Sequence, residues 1–178
     1  MKRLRFILAT GLLAVVVPVI GATGSSAARE VQSCSSEFVE VLASGWFGAA
    51  GTGAMTFDII NRGATFRISG YPTVSFENAS AIAVDHRDVH ESSMLFAEPR
   101  ATVVTLARGG VATFGVSWSD NPVNNEPYNT TCPETARAVI GLLHGVGSLF
   151  GDVPINPRPC FGDLLVTPIE PGSWPRQA

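Results

Sequence analysis

From Phe38 onward the chain is a series of short apolar segments, each closed by glycine, proline, asparagine or aspartate before a long helix could form. Short segments bounded in this way are strands, and no other feature limits the fold as severely. Over 55–60, Met55, Phe57 and Ile59 share one face and Thr56, Asp58 and Ile60 the other, the period of two that a half-buried strand requires. Over 111–118, Ala112, Phe114, Val116 and Trp118 form the core-facing set, which predicts that Trp118 lies deep in the domain.

The remaining strands are read around these two. Residues 38–42 open the domain, and the Gly/Ala-rich stretch 45–53 separates them from the next strand. Asn61-Arg62-Gly63 predicts a tight turn. Residues 67–76 form one strand, with Gly70-Tyr71-Pro72 marking an edge or a bulge in it. Asn78-Ala79-Ser80 turns into a short strand at 82–84, and the polar segment 85–100 is a loop. A β-branched strand at 101–106 turns at Arg108-Gly109-Gly110 into 111–118, and 119–133 is a second long loop. The apolar residues of 137–150 would suit a helix, but Gly141, Gly145 and Gly147 would each cost about 1 kcal/mol in one. A strand over 137–143 with a glycine turn after it is therefore expected, and a last strand spans 163–169. Seven or eight such strands predict an all-β fold, an antiparallel β-sandwich.

The first 28 residues read differently. Lys2, Arg3 and Arg5 precede an apolar run from Phe6 to Ile20, and Ser26-Ala27-Ala28 fits a small-residue cleavage site, the pattern of a secretion signal. The run is short for a membrane span and Pro18 interrupts it. The expected organisation is a signal peptide at 1–28, a β-sandwich at 29–172 and a loose tail at 173–178. The expected location is outside the cell or at its envelope, with membrane contact only through the signal before cleavage. Lipidation at Cys34 is the weaker alternative, because Val31-Gln32-Ser33 is a poor lipidation signal.

Cleavage leaves nine basic residues, all arginine, against 15 acids. A net charge of −6 argues against an electrostatic grip on nucleic acid or anionic lipid. The only lysine is Lys2, so the mature chain has none for a Schiff base, a Ser–Lys dyad or a phosphate loop. Export permits disulfides, and three cysteines remain, Cys34, Cys132 and Cys160. Cys132 and Cys160, each set among prolines and turn residues, are the expected pair. Cys34 is then unpaired, as a buried or an exposed thiol.

Chemistry-bearing residues are few. In Asp85-His86-Arg87-Asp88-Val89-His90-Glu91, His86 and His90 would share one face of a helix at a spacing metal sites use. Arg87 stands where a zinc hydrolase needs glutamate, and alternating charges suit a solvated loop. His86 and His90 are thus weak metal candidates, with His144 the only further imidazole, and no cofactor is expected. Gly115-Val116-Ser117-Trp118-Ser119 lacks the closing glycine of a nucleophile elbow. Asn78-Ala79-Ser80 and Asn129-Thr130-Thr131 match the glycosylation acceptor pattern. Trp46, Phe47 and Trp174 either cap the sandwich or offer aromatic contacts to a glycan or a partner.

Several blocks, taken in order, resemble one family. They are Gly48-Ala49-Ala50-Gly51-Thr52, Asn61-x-Gly63 with Ser69-Gly70-Tyr71-Pro72, Leu106-Ala107-Arg108-Gly109-Gly110-Val111-Ala112 leading to Trp118, and Cys160-Phe161-Gly162 through Val166-Thr167-Pro168-Ile169. Their order and spacing resemble an exported actinobacterial family known as domain of unknown function 4232. The resemblance implies an immunoglobulin-like β-sandwich with no established activity and no catalytic residue to carry over. It also implies four cysteines, the second just before the Gly-Tyr-Pro block. Phe66 holds that place here, which leaves Cys34 without its partner and keeps Cys132 with Cys160.

The functional expectation is a non-enzymatic exported module that binds an envelope or extracellular protein or a glycan through loops at one end, 85–100 and 119–133. A secreted metal-dependent hydrolase using His86 and His90, or an inhibitor of an extracellular protease, is the alternative.

Overall fold

In the computed structural model, which describes residues 36–90, 95–96, 100–121, 132–142, 149–152, 157–160 and 163–174, the two cleanest alternating segments become the centre of the fold. They are β2 (Thr52–Asn61) and β7 (Val111–Ser119). They pair antiparallel, with Met55 opposite Val116, Phe57 opposite Phe114 and Ile59 opposite Ala112. All six are buried, and the Phe57 and Phe114 rings stack with centroids 5.2 Å apart. Burial of each large side chain here contributes about 1.5–3 kcal/mol.

On one flank β1 (Val39–Ala49) pairs with β2. The glycine-rich stretch 45–53 is therefore a hairpin rather than a separator. Ala50 and Gly51 both have positive φ, 49° and 81°, the left-handed pair that a two-residue primed turn requires. Ser44 forms a bulge in the ladder, and its hydroxyl donates to Thr56 Oγ1 at 3.1 Å.

The other flank of β7 carries β10 (Asp163–Val166) and then β11 (Glu170–Pro171). The single strand expected over 163–169 is broken because Pro168 has no N–H to give a ladder. At the break, Thr167 N–H donates to Gly115 O at 2.9 Å and its Oγ1 accepts the Gly115 N–H at 2.8 Å. Ile169 N–H turns away to Gly70 O. The far edge is β5 (Arg87–Val89), which lies parallel to β10. Segment 85–100 is thus not simply a loop, and the sheet, ordered β1-β2-β7-β10-β5, is not wholly antiparallel.

The second layer has two parts. β4 (Thr73–Glu77), β8 (Arg137–Gly141) and β9 (Leu149–Asp152) form one sheet, and β3 (Phe66–Ile68) with β6 (Val104–Leu106) forms a two-stranded one. The single strand expected over 67–76 is divided between them, since the chain changes sheets at Gly70 (φ 89°) and Pro72. The strand expected at 101–106 contracts to β6, and 82–84 keeps one isolated bridge, Glu77 to Ala83. The glycine turn after β8 and most of loop 119–133 lie outside the described residues. Among the described residues the strands number eleven where the sequence pattern predicts seven or eight, and β3, β5, β6 and β11 are only two or three residues long. Among the described residues there is no α-helix, only a 3₁₀ turn at Ser36–Phe38.

The layers share one apolar core, with the Phe76 ring edge-on to Trp118 at 5.5 Å. Trp118 is buried as its strand position predicts. Asn61 ties the layers at the opposite end. Its amide donates to Ala64 O (2.8 Å) and Leu106 O (2.9 Å), and its Oδ1 accepts Gly63 N–H (2.8 Å). The outer face of β7 is buried too: a Cβ on Gly115 would overlap the Phe96 ring. Phe96 meets Phe47 and Trp174 edge-on, at 5.4 and 5.0 Å.

Candidate functional site

The β1–β2 turn gathers the features a binding end needs. Trp118 lies against Gly53, where a Cβ would come within 2.6 Å of the indole, so only glycine admits the ring. The indole N–H donates to Asp120 Oδ1 at 2.7 Å, and Asp120 N–H donates to Gly51 O at 2.8 Å. The end of β7 is thereby tied to the hairpin tip. Ser119 Oγ donates to Asn121 O at 2.9 Å, and Cys160 N–H donates to Ser119 O at 3.0 Å. Cys132 and Cys160 stand at disulfide distance, their Cα atoms 4.7 Å apart. Both ends of the 119–133 segment are therefore held at this end of the sandwich. Thr135 N–H and Oγ1 both donate to Pro157 O, at 3.2 and 2.8 Å, which fixes the chain beyond Cys132 as well.

Beside this base, Trp46 is 56% exposed on β1, opposite Met55. Its neighbour Phe47 points to the other face, into the Phe96–Trp174 cluster. The aromatics singled out in the sequence thus divide: Phe47 and Trp174 cap the outer face, and Trp46 is left to solvent.

The histidines do not converge. β5 separates His86 from His90 in extended backbone, so they share no helix face. His90 stacks on Tyr71 at 4.3 Å. His86 places Nδ1 2.6 Å from Val84 O and Nε2 2.7 Å from Val74 O, and Asp88 Oδ1 lies 3.4 Å from Nε2. A neutral imidazole has one N–H, whereas two carbonyls need two donors. The ring is held as imidazolium: the Asp88 carboxylate, aided by both carbonyls and opposed by burial, raises its pKa to about 9. Among the described residues no three His, Cys, Asp or Glu side chains gather as a metal site. Cys34, His144 and Asn129 lie outside the described residues.

Ser117 is fully buried in mid-strand, without the exposed turn a nucleophile needs. Asn78 Oδ1 accepts the N–H groups of Ser80 and Ile82, at 2.9 and 3.0 Å, and so builds its own turn. Sequence reasoning missed the bonding roles of Asn61 and His86. One partner of each is a carbonyl remote in the chain, Leu106 O for Asn61 and Val74 O for His86, and no spacing reveals it.

A family model described as Domain of unknown function (DUF4232) matches residues 34–169. The chain belongs to this family. No curated protein and no solved structure matches it.

Proposed function

We propose that this family member is an exported, non-enzymatic binding module that holds a protein or glycan at the envelope or outside the cell. The contact is made by the end where the β1–β2 hairpin meets the anchored 119–133 segment. The observation that carries this reading is Trp46, a large aromatic left 56% exposed on an ordered hairpin. An exposed tryptophan beside a rigid base is a low-entropy anchor of the kind that dominates interfaces. The polar groups here are already engaged in holding the base: Asp120 by the Trp118 indole, Ser119 by Asn121. That commitment suits a scaffold better than a reacting centre. Export is supported by the basic and apolar pattern of residues 1–28 and by a cysteine pair that an oxidising compartment would close.

The 85–100 segment touches this end at Phe96, which meets Phe47 of the hairpin. Its described residues run along β5 and then cover Gly115 through Phe96. The test is binding of the purified protein to cell-wall and membrane-protein fractions of its native host. Trp46→Ala is expected to weaken capture by about thirtyfold or more, the size of an interface hot spot, at an unchanged melting temperature. Equal capture by the variant would remove this end as the site.

A further inference from the structure

β4 has a second neighbour for part of its length. After the Asn78 turn the chain folds back antiparallel: Asn78 N–H donates to Ile82 O (3.0 Å), Glu77 bridges Ala83, and Val84 N–H donates to Phe76 O (2.8 Å). Continued for one more step, this register would set His86 opposite Val74 and give Val74 two ladder bonds from the His86 backbone. The chain instead leaves the second layer there and joins the main sheet as β5. Side chains take over the two vacated positions. His86 Nε2 meets Val74 O at 2.7 Å, and Asp88 Oδ2 accepts the Val74 N–H at 3.1 Å. Asp88 Oδ1 is buried without a hydrogen bond, and the His86 ring 3.4 Å away is its compensation.

We propose that His86 and Asp88 form a proton-dependent latch that closes the crossing between the two layers, and that loss of the His86 proton opens this edge while the β2–β7 core stays folded. A neutral ring would turn a lone pair toward one of two carbonyls and leave Asp88 Oδ1 buried beside no charge. Both effects act at the same place. The other charged groups on the packed elements are committed elsewhere or exposed: Glu77 of β4 pairs with Arg137 of β8, and Arg87 of β5 with Asp163 of β10. Asp85 is exposed. Asp88 is the charged side chain whose effect on the ring is the largest. The latch is independent of the binding role proposed above.

The decisive measurement is NMR of the isotopically labelled protein between pH 5 and 10, following the His86 ring and amide hydrogen exchange together. The His86 ring is expected to titrate near 9, and Asp88→Asn to lower that midpoint. Above the midpoint the Val74 amide is expected to exchange at least about tenfold faster than base catalysis alone predicts. The Phe57 and Phe114 amides should keep their protection. A His86 midpoint at or below 7 in the unaltered protein overturns the latch, whatever becomes of the variant. Simultaneous loss of protection at Val74, Phe57 and Phe114 overturns it too, because the proton would then govern global stability and not an edge.

Discussion

The β2–β7 pair and the crossing from β4 to β5 both join parts of the chain that are far apart or that change layers, yet they are sealed by opposite means. In the first, Met55, Phe57, Phe114 and Val116 exclude water by apolar shape. In the second, an imidazolium and a carboxylate replace a missing pair of ladder bonds. Apolar contact depends on volume and is indifferent to pH. A charged clasp depends on a proton. The difference shows how a sandwich can have a fixed centre and a conditional rim.

The sharpest way to break the comparison is at the centre. Phe114→Ala should cost about 3–5 kcal/mol by transfer and cavity terms, measured by urea unfolding, with the same loss at pH 6 and pH 9. A loss that changed with pH would mean the centre is not sealed by shape alone. Next, Cys132→Ser with Cys160→Ser opens a link spanning 28 residues and should cost about 3.5 kcal/mol in the chain-entropy model. Unfolding with and without reductant checks it, since reductant should leave the variant unmoved.

The rim has its own signature. His86 titrates near 9 in the folded chain against 6.5 unfolded, so the folded state binds the proton more tightly. Its contribution is complete below pH 6.5, declines as pH rises and is gone above about 9. The ceiling for closing the edge is about 3.4 kcal/mol, reduced by solvent screening because the pair is only partly buried, and the protection of the Val74 amide from pH 6 to 10 should trace it. His86→Gln should flatten that dependence. The smallest effect belongs to Arg87 and Asp163, an exposed pair in which the guanidinium holds the Asp163 carboxyl below its usual pKa. Arg87→Ala should change stability by no more than about 0.5 kcal/mol, which would separate ordinary surface pairing from the half-buried clasp.

What was legible in the chain follows the same division. The apolar faces of β2 and β7 and the depth of Trp118 follow from alternation, because a period of two reports burial directly, and β8 follows from the cost its glycines would impose on a helix. The Cys132–Cys160 approach follows from its setting among turn residues. Other features depend on distant partners and leave no local trace. Residues 67–76 read as one strand with an irregularity at Gly70-Tyr71-Pro72, and it is the switch from β6 to β8 as partner that divides them. The charges of 85–91 resemble a solvated loop because hydrogen bonds from side chain to remote backbone have no period. Gly45 to Gly53 reads as a spacer because glycine content hides a hairpin whose turn needs only two left-handed residues. At the candidate site, composition drew attention to Trp46, Phe47 and Trp174 without separating the exposed ring from the two that cap the outer face.

The place of β10 between β7 and β5 has a consequence for the order of assembly. Residues 87–89 cannot find their sheet until residues 163–165 have arrived, and Cys132 likewise waits for Cys160. A chain emerging from its N-terminus can pair β1 with β2 early, but its rim stays open until almost all of the matched segment is available. Such a polypeptide closes its rim last, the order that the proposed export as an extended thread would require.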